Sequence, residues 1–446
     1  MVRRHRTAPP PWHPLAWADA LVQFGQTETA GGVVLALALA AALAWANLDA
    51  NGYSSVWLHP VLHGAEPLPG SLYTVAGQID NGLMTIFFLS VGLEIGREVA
   101  EGSLRDRRNV LLPAVAALGG MAGAALIFLV AIAFGHAHAD AARGWGIPMA
   151  TDVAFTLGAI ALLGRRVPRS VRIFVLALAV ADDIGSVVIL ALIASTKIHL
   201  LWLAGAAAAL GVVLLLRRRV RHNWWPYAVA ALITWYLFVR AGVEPTLAGA
   251  FVGLMVPVAG AARAGHSLEG PVHTLSSFVV LPLFVLANAG VGLTGVVWHQ
   301  PDAVRVMSAI IAARIVGKML GITLAVAALV RLGVCGLPEA TTWRHIVGVS
   351  LLCGMGITVP LLFAHAVFGG APALFSGAQL GLVLGTLGAA ALGGAVLLVE
   401  PRRGRSPVPP TAGAGRATVP AVDPHPCPPA GDHDQKEAGP HANPTD

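Results

Sequence analysis

Long apolar runs separated by short polar connections dominate the chain. A helix needs about 20 apolar residues to cross the hydrocarbon core of a bilayer, and most of the runs approach that length. The pattern therefore predicts an all-α polytopic membrane protein with about twelve transmembrane helices. The predicted spans lie near 31–46, 74–98, 110–134, 146–164, 171–194, 198–216, 225–240, 244–258, 273–296, 304–330, 345–368 and 374–399.

The composition supports this reading and divides the chain into three parts. Hydrophobic residues make up 56% of the chain and charged residues only 12%, about half the charged fraction of a soluble domain. Residues 1–22 form a basic, proline-broken lead-in, and residues 23–400 hold the predicted spans. Residues 401–446 are rich in Pro, Ala, Gly, Asp and His, a composition that predicts a disordered tail.

The basic residues predict the orientation of the chain. With twelve spans, 21 of the 29 Lys and Arg residues fall next to the spans on one side, and 4 fall on the other. The rest are Arg314 and Lys318 within a span and Arg416 and Lys436 far out in the tail. By the positive-inside rule the richer side is cytoplasmic, so both termini are expected there. Sorted in this way, the net charge of +6 gives no reason to expect a nucleic-acid partner.

Three acidic residues lie within apolar runs: Asp152 in the fourth, and Asp182 and Asp183 in the fifth. An unpaired carboxylate at that depth costs at least about 2.5 kcal/mol, which makes it a candidate functional group. Pro148 frees backbone groups shortly before Thr151 and Asp152. Carbonyl, hydroxyl and carboxylate oxygens together suit a hard cation such as Na+, or protons. The alternative is a kinked helix whose acid bonds to a neighbouring helix.

Asp182 and Asp183 are adjacent, so on a helix they point about 100° apart. One can face a cation site while the other reaches a partner on another helix. Like charges in a poorly solvated place compete, and one acid then retains a proton more readily. Such a pair can exchange protons for a cation. The alternative is a structural pair at a helix end.

Two basic residues lie within the tenth run, and the deeper one, Lys318, needs a carboxylate partner because burying an ammonium alone is costly. We expect it to pair with Asp182 or Asp152. For Arg314, one turn earlier, the expectation is that its side chain reaches the membrane interface.

The eleventh run is broken by Gly354, Gly356 and Pro360. Interrupted spans in both halves of a chain are typical of transporters with inverted repeats. The broken helix ends carry partial charges. We expect Asp152 to offset N-terminal ends and Lys318 to offset C-terminal ends.

Charged residues also flank two spans. At the end of the second run, Glu94, Arg97 and Glu98 are neighbours on one helix, and Glu269 and His273 begin the ninth run. A charged helix end is the ordinary interpretation. A cluster that responds to pH is the alternative, since histidine near carboxylates titrates close to neutrality.

Several of these stretches occur as longer motifs, which follow in chain order. They read FFLSVGLEIGRE, IPMATDVAFTLGAIALLG, ALAVADDIG, LPLFVLANAGV, GKMLGI, and LPEATTW with LLCGMGIT. The set resembles the NhaA family of bacterial Na+/H+ antiporters over most of residues 23–400. The resemblance implies that Asp183 is the principal cation ligand, with Thr151 and Asp152 beside it. It also implies that Asp182 is the partner of Lys318.

The resemblance further implies a fold and an activity. Broken fourth and eleventh helices would cross, a funnel would open to the cytoplasm, and an extracytoplasmic hairpin would help to form a homodimer. The protein would be a transporter in the bacterial inner membrane, not an enzyme, and would need no cofactor. It would exchange Na+ or Li+ for a larger number of entering protons, and so regulate intracellular pH and Na+. A hairpin is also suggested by Asn51-Gly52 in the loop 48–73.

Three positions depart from the family pattern. The chain has Asp80-Asn81 where many members have Asn-Asp, Glu244 where the best-known members have histidine, and Gly270-Pro271 between Glu269 and His273. The roles of these positions, and any pH profile taken from the family, stay open.

Other function classes fit the motifs less well. An intramembrane aspartyl protease needs a GxGD motif, which neither Asp152 nor Asp182 carries. A transporter of organic solutes needs more polar groups to orient its substrate, and a passive channel needs no buried acid–base pair.

Overall fold

The computed structural model describes residues 28–61, 70–100, 107–194, 199–219, 223–257, 264–292, 296–338 and 340–399. This part of the chain is all-helical, and its only β-type pairing is one isolated bridge. The predicted lead-in 1–22 and tail 401–446 lie outside it. The helices of eight or more residues are α1 Glu28–Leu48, α2 Ala50–Trp57, α3 Met84–Ala100, α4 Arg107–Phe134, α5 Val153–Leu163, α6 Arg169–Ala194, α7 Leu200–Arg219, α8 Trp225–Ala241, α9 Leu247–Met255, α10 Ala264–Leu275, α11 Leu281–Asn288, α12 Pro301–Ala312, α13 Lys318–Arg331, α14 Trp343–Leu352, α15 Thr358–Phe368 and α16 Pro372–Leu398.

Seven helical segments of the described residues are long and apolar enough to cross a membrane, which agrees with a polytopic membrane protein. They match seven of the predicted runs. The other five runs form shorter or interrupted helices, so the count of twelve spans stays a prediction. The seven segments are Ala30–Leu48, Val75–Glu98, Leu111–Phe134, Ser170–Ile193, Leu268–Asn288, Pro301–Arg331 and Pro372–Leu398.

Two of the runs are broken where the sequence indicates a break. In the fourth run, a short 3-10 helix Arg143–Gly146 is followed by non-helical residues up to Asp152, and α5 begins at Val153. In the eleventh run, α14 ends at Leu352 and α15 begins at Thr358. The two breaks meet, because Asp152 N donates a hydrogen bond to Met355 O at 3.1 Å.

Within the part of the chain that the structure describes, three π-helical turns interrupt longer helices, and all three carry polar or cavity-lining residues. They are Ile79–Leu83, Ser276–Val280 and Ala313–Gly317. The first contains Asp80. The third contains Arg314 and ends at Gly317, directly before Lys318. A π turn shifts the following residues around the helix axis and is frequent at functional sites.

Glycines set the distance between α4 and α13. A Cβ on Gly321 would overlap the carbonyl oxygen of Gly119, so the two backbones can approach closely only without side chains there. The stem of Lys318 lies beside the same surface, since a Cβ on Gly120 would be 3.5 Å from its Cδ. This packing holds Lys318 in the core, where it is 1% exposed.

The turn predicted at Asn51-Gly52 is wrong. Both residues lie within α2, because Asp49 caps that helix by accepting a hydrogen bond from Gly52 N at 2.8 Å. The cap favours a helical start over a hairpin turn. Further along the loop, Pro60 and Thr74 form the isolated antiparallel bridge.

Candidate ion-binding site

Asp152 lies at the N-terminus of α15. This is where the breaks of the two runs meet, at Asp152 and Met355, and we call this place the crossing. Its Oδ2 accepts hydrogen bonds from Ile357 N at 2.5 Å and Thr358 N at 2.9 Å, and its Oδ1 accepts one from the Thr358 hydroxyl. A carboxylate is favoured there because the first N–H groups of a helix lack internal partners and carry partial positive charge. The predicted role of Asp152 at an N-terminal helix end is confirmed.

The last carbonyls of α14 receive three donors from other elements. Thr156 Oγ1 donates to Leu352 O at 3.2 Å, Thr151 Oγ1 donates to Cys353 O at 2.7 Å, and Arg314 Nε donates to Gly354 O at 2.7 Å. The basic residue that donates directly to this C-terminal end is Arg314, whereas Lys318 bonds to the Thr151 hydroxyl that donates to Cys353 O. The expectation that Lys318 offsets C-terminal helix ends stays a prediction.

The expectation that Arg314 reaches the membrane interface is wrong. Its side chain is 0% exposed, because the π turn directs it toward the crossing. Arg314 Nη2 and Asp152 N lie 2.8 and 2.9 Å from the point where a Cβ on Gly356 would be. Only glycine leaves room for both groups. Arg314 is the site residue whose position the sequence did not indicate.

Lys318 forms a buried ion pair with Asp182. Its Nζ lies 2.9 Å from Asp182 Oδ1 and 3.0 Å from Asp182 Oδ2, and it also donates to Thr151 Oγ1 at 2.9 Å. Asp182 is 0% exposed and accepts a further hydrogen bond from Thr151 N at 2.8 Å. The expected contact is present and fully hydrogen-bonded, as a buried pair requires. The Thr151 hydroxyl is thereby committed to Lys318 and to Cys353 O.

Asp183 lines a cavity of about 90 Å³, and Asp182 does not. Because adjacent residues of a helix point about 100° apart, one acid lies in an ion pair and the other at a cavity large enough for several waters. The wall also contains apolar residues of α1, α3 and α11. Its polar lining residues are Ser90, Glu94, Thr151, Asp152, Asp183 and His273, with Ser276 and Ser277 of a π turn.

The charged residues at the end of α3 meet the start of the ninth run. Arg97 Nε lies 3.1 Å from Glu269 Oε1, and Arg97 Nη2 lies 3.7 Å from Glu98 Oε1. Glu94 and His273 lie on the cavity wall instead. The structure therefore divides the five candidates for a pH response: Glu94 and His273 line the cavity, and Arg97, Glu98 and Glu269 form ion pairs about one turn away along α3 and α10. Their response to pH stays a prediction.

The departing positions Asp80 and Glu244 are both internal polar sites. Asp80 Oδ1 accepts a hydrogen bond from Asn288 Nδ2 at 2.6 Å, and Glu244 Oε1 accepts one from Thr246 Oγ1 at 3.1 Å. Gly270 and Pro271 lie within α10, whose helix continues past the proline. An acid within an apolar run was the available signal for Asp80; no signal pointed to Asn288 as its partner.

Comparison with known proteins agrees with this geometry. The family model described as Na+/H+ antiporter 1 matches residues 22–397. The chain is 40% identical over 381 residues to the Na(+)/H(+) antiporter NhaA of Vibrio vulnificus strain YJ016, covering 84% of this chain and 94% of the relative. It is 39% identical to NhaA of Vibrio alginolyticus, over 85% of this chain and 97% of the relative. The identity to NhaA of Mesorhizobium japonicum is also 39%, over 86% and 95% of the two chains. The chain therefore belongs to the Na+/H+ antiporter 1 family, and the resemblance to NhaA predicted from its motifs is confirmed.

Proposed function

We propose that this protein is a secondary Na+/H+ antiporter of the bacterial inner membrane, with Asp183 as the group that binds Na+ and H+ in turn. The observation that carries the proposal is the placement of Asp183 on a cavity wall beside the crossing. The neighbouring acids have other partners: Asp182 has Lys318, and Asp152 has the N-terminus of α15. Asp152 lines the same cavity, but its carboxylate already accepts the hydrogen bonds of α15. We therefore assign the alternating binding of Na+ and H+ to Asp183.

The site suits a small hard cation. Carboxylate and hydroxyl oxygens are the ligands such ions prefer, and Asp183, Asp152, Thr151 and Ser90 line one cavity. Asp152 would contribute an oxygen to Na+ while retaining its backbone bonds. Li+ carries the same charge in a smaller radius and would be an alternative substrate. The transported ions are substrates, and we propose no cofactor and no chemical catalysis.

Exchange would be electrogenic. Asp183 can exchange one proton for one Na+, which moves no net charge. We assign the second proton to the Lys318–Asp182 pair, whose ammonium could release a proton when Na+ enters the adjacent cavity. The protein would extrude Na+ and, driven by entering protons, regulate intracellular pH and Na+. Glu94, Arg97, Glu98, Glu269 and His273 would form a pH-responsive group in and beside the cavity.

In alternating access, the two broken helices would move relative to the rest of the protein at the crossing. This movement requires that the polar groups at their buried ends keep partners, since an unpaired buried helix end would resist rearrangement. We further propose twelve spans with inverted repeats and both termini in the cytoplasm, on the asymmetry of the basic residues. We also propose that the protein forms a homodimer in the lipid bilayer and that the loop 48–73 helps to form it.

Everted membrane vesicles test the exchange directly. After respiration has acidified the lumen, added Na+ should release protons, and a pH-sensitive dye should report the change. Vesicles with Asp183→Asn should show no Na+-dependent signal at an unchanged protein level. Ser186→Ala, which alters a buried polar residue one turn away, is the matched control and should keep exchange. Normal exchange by the Asp183→Asn variant would overturn the assignment of this site.

A further inference from the structure

A second buried polar cluster lies around Asp80, and its residues are not part of the cavity wall that Asp183 lines. Asp80 is 2% exposed, and its Oδ1 accepts the bond from Asn288. Its Oδ2 lies 3.7 Å from Nδ1 of His365. Both of these atoms are buried, and among the described residues neither has a hydrogen-bond partner. Two buried polar atoms without hydrogen-bond partners therefore lie 3.7 Å apart.

This arrangement is incomplete as it stands. A buried polar atom left unpaired costs about 1–3 kcal/mol, so native structures pair nearly all of them. The separation of 3.7 Å is longer than a hydrogen bond, which needs about 2.7–3.2 Å. When the imidazole carries protons on both nitrogens, a small approach gives a charge-assisted bond from Nδ1 to Oδ2, which satisfies both atoms at once.

Other titratable groups lie near the pair. The carboxyl group of Glu244, which accepts a hydrogen bond from Thr246, interacts electrostatically with Asp80. Asp80 interacts electrostatically with the phenol of Tyr53 as well. Within the described residues no Lys or Arg forms an ion pair with Asp80 or Glu244. The ring of His365 packs edge-on against Phe375, with centroids 5.5 Å apart. Its side chain is 42% exposed against 3% for Asp80, so a proton would enter through the histidine.

The pair is linked to the crossing by α15. His365 follows Thr358 by seven residues, two turns of the same helix, so both lie on one face. The first turn of α15 is bonded to Asp152, and its third turn carries the histidine beside Asp80. A bond at His365 would thus tie the helix that caps the ion site to the π turn Ile79–Leu83.

We propose that Asp80 and His365 form a second proton-binding site, and that its protonation restrains α15. The proton site stands independently of transport; only its effect on exchange rests on the proposed function. Restraint of α15 at low pH would slow the rearrangement of the crossing. Removing the pair should then extend exchange to lower pH.

A double-mutant cycle at two pH values tests the proton site without any transport. Tm is measured for the wild type, Asp80→Asn, His365→Gln and the double variant in detergent, at pH of about 5.5 and 8.5, on either side of the usual histidine pKa of about 6.5. All four are repeated with Asp183→Asn, so that cation binding at the main site cannot contribute. We expect the two substitutions to be non-additive at the lower pH and close to additive at the higher. Additive shifts at both values, or equal coupling at both, would overturn the proton site.

Proteoliposomes test the effect on exchange. Asp80→Asn, His365→Gln and the double variant should each move the pH of half-maximal exchange downward by about 0.5–1 unit, and by the same amount, since each removes the same bond. The matched control is His299→Gln, which changes an exposed histidine in a 3-10 turn and should leave the profile in place. A profile unmoved in all three variants would overturn the restraint of α15. Absence of exchange in the wild type would instead contradict the proposed function and leave the result of the Tm cycle standing.

Discussion

The carboxylate of Asp152 accepts a hydrogen bond from the backbone N–H of Thr358 at 2.9 Å, across 206 positions of the chain. One broken run thereby supplies the charge that the other broken run needs at its helix end. A site built in this way has few spare ligands, because most of its polar groups already compensate one another. Each acid and each base at the site has its own partner, so replacing each of them should have a different effect.

Replacing Asp152 should affect stability and affinity together. The amide of Asp152→Asn has a single acceptor oxygen, and its NH2 group would face N–H donors, so at least one bond to α15 is lost. We expect a loss of about 1–2 kcal/mol in stability and a several-fold weaker apparent Na+ affinity with turnover retained. Asp49→Asn makes the same change at the cap of α2, away from the ion site, and should leave affinity unchanged. Equal affinity in the wild type and Asp152→Asn would contradict a role in cation binding.

The adjacent acids should respond in opposite ways to the same substitution. Asp182→Asn leaves the ammonium of Lys318 buried without its counter-charge, which costs about 3–5 kcal/mol. Asp183→Asn removes a charge at a cavity and should keep or raise the melting temperature while abolishing exchange. Thermal unfolding in detergent and Na+-driven proton release measure the two effects. Similar melting temperatures for the two variants would refute the division of roles.

Removing both charges of the ion pair should recover part of the stability lost in either single variant. Asp182→Asn with Lys318→Gln replaces a charged pair by two amides of similar size, which can bond to each other. Because Asp183 then exchanges one proton for one Na+, transport should lose its dependence on membrane voltage. A stability cycle and transport at imposed potentials in proteoliposomes measure both results. A double variant that remains electrogenic would place the second proton elsewhere.

Arg314 should influence both folding and cation affinity. Arg314→Met keeps much of the side-chain volume but removes the donor to Gly354 O, at a cost of about 1–3 kcal/mol. It also removes a buried positive charge near Asp152, so the apparent affinity for Na+ should rise. Arg314→Lys retains the charge without the fixed Nε donor, and should lose stability while keeping the wild-type affinity. Equal affinity in all three proteins would show that Arg314 acts on folding alone.

The proposed orientation can be tested with impermeant thiol reagents. The background carries Cys335→Ser, Cys353→Ala and Cys427→Ser, which removes all three native cysteines. A single cysteine at Arg217 should then react only from the cytoplasmic side, and one at Ser55 only from outside. Intact cells and everted vesicles provide the two exposures. Labelling of both positions from one side would contradict the twelve-span topology.

The sequence by itself determined the membrane class, the places where two runs break, and the need of Lys318 for a carboxylate. These features depend on local chemistry. An apolar run of sufficient length must leave water, glycine and proline weaken a helix in any fold, and a buried ammonium needs a counter-charge wherever it lies. The motifs in the same runs also indicated the family of Na+/H+ antiporters, and with it the function.

Only the tertiary structure decided which polar group meets which. The helical angle separates Asp182 from Asp183, but the rotation of α6 against α4 and α13 determines which of them faces Lys318. Arg314 and Lys318 are one turn apart in sequence, and the π turn between α12 and α13 assigns the first to Gly354 O and the second to Asp182. Asp80 meets Asn288 across 208 positions. Such contacts depend on helix rotation and on backbone approach at glycines, which are properties of the packed helices together and not of any one segment.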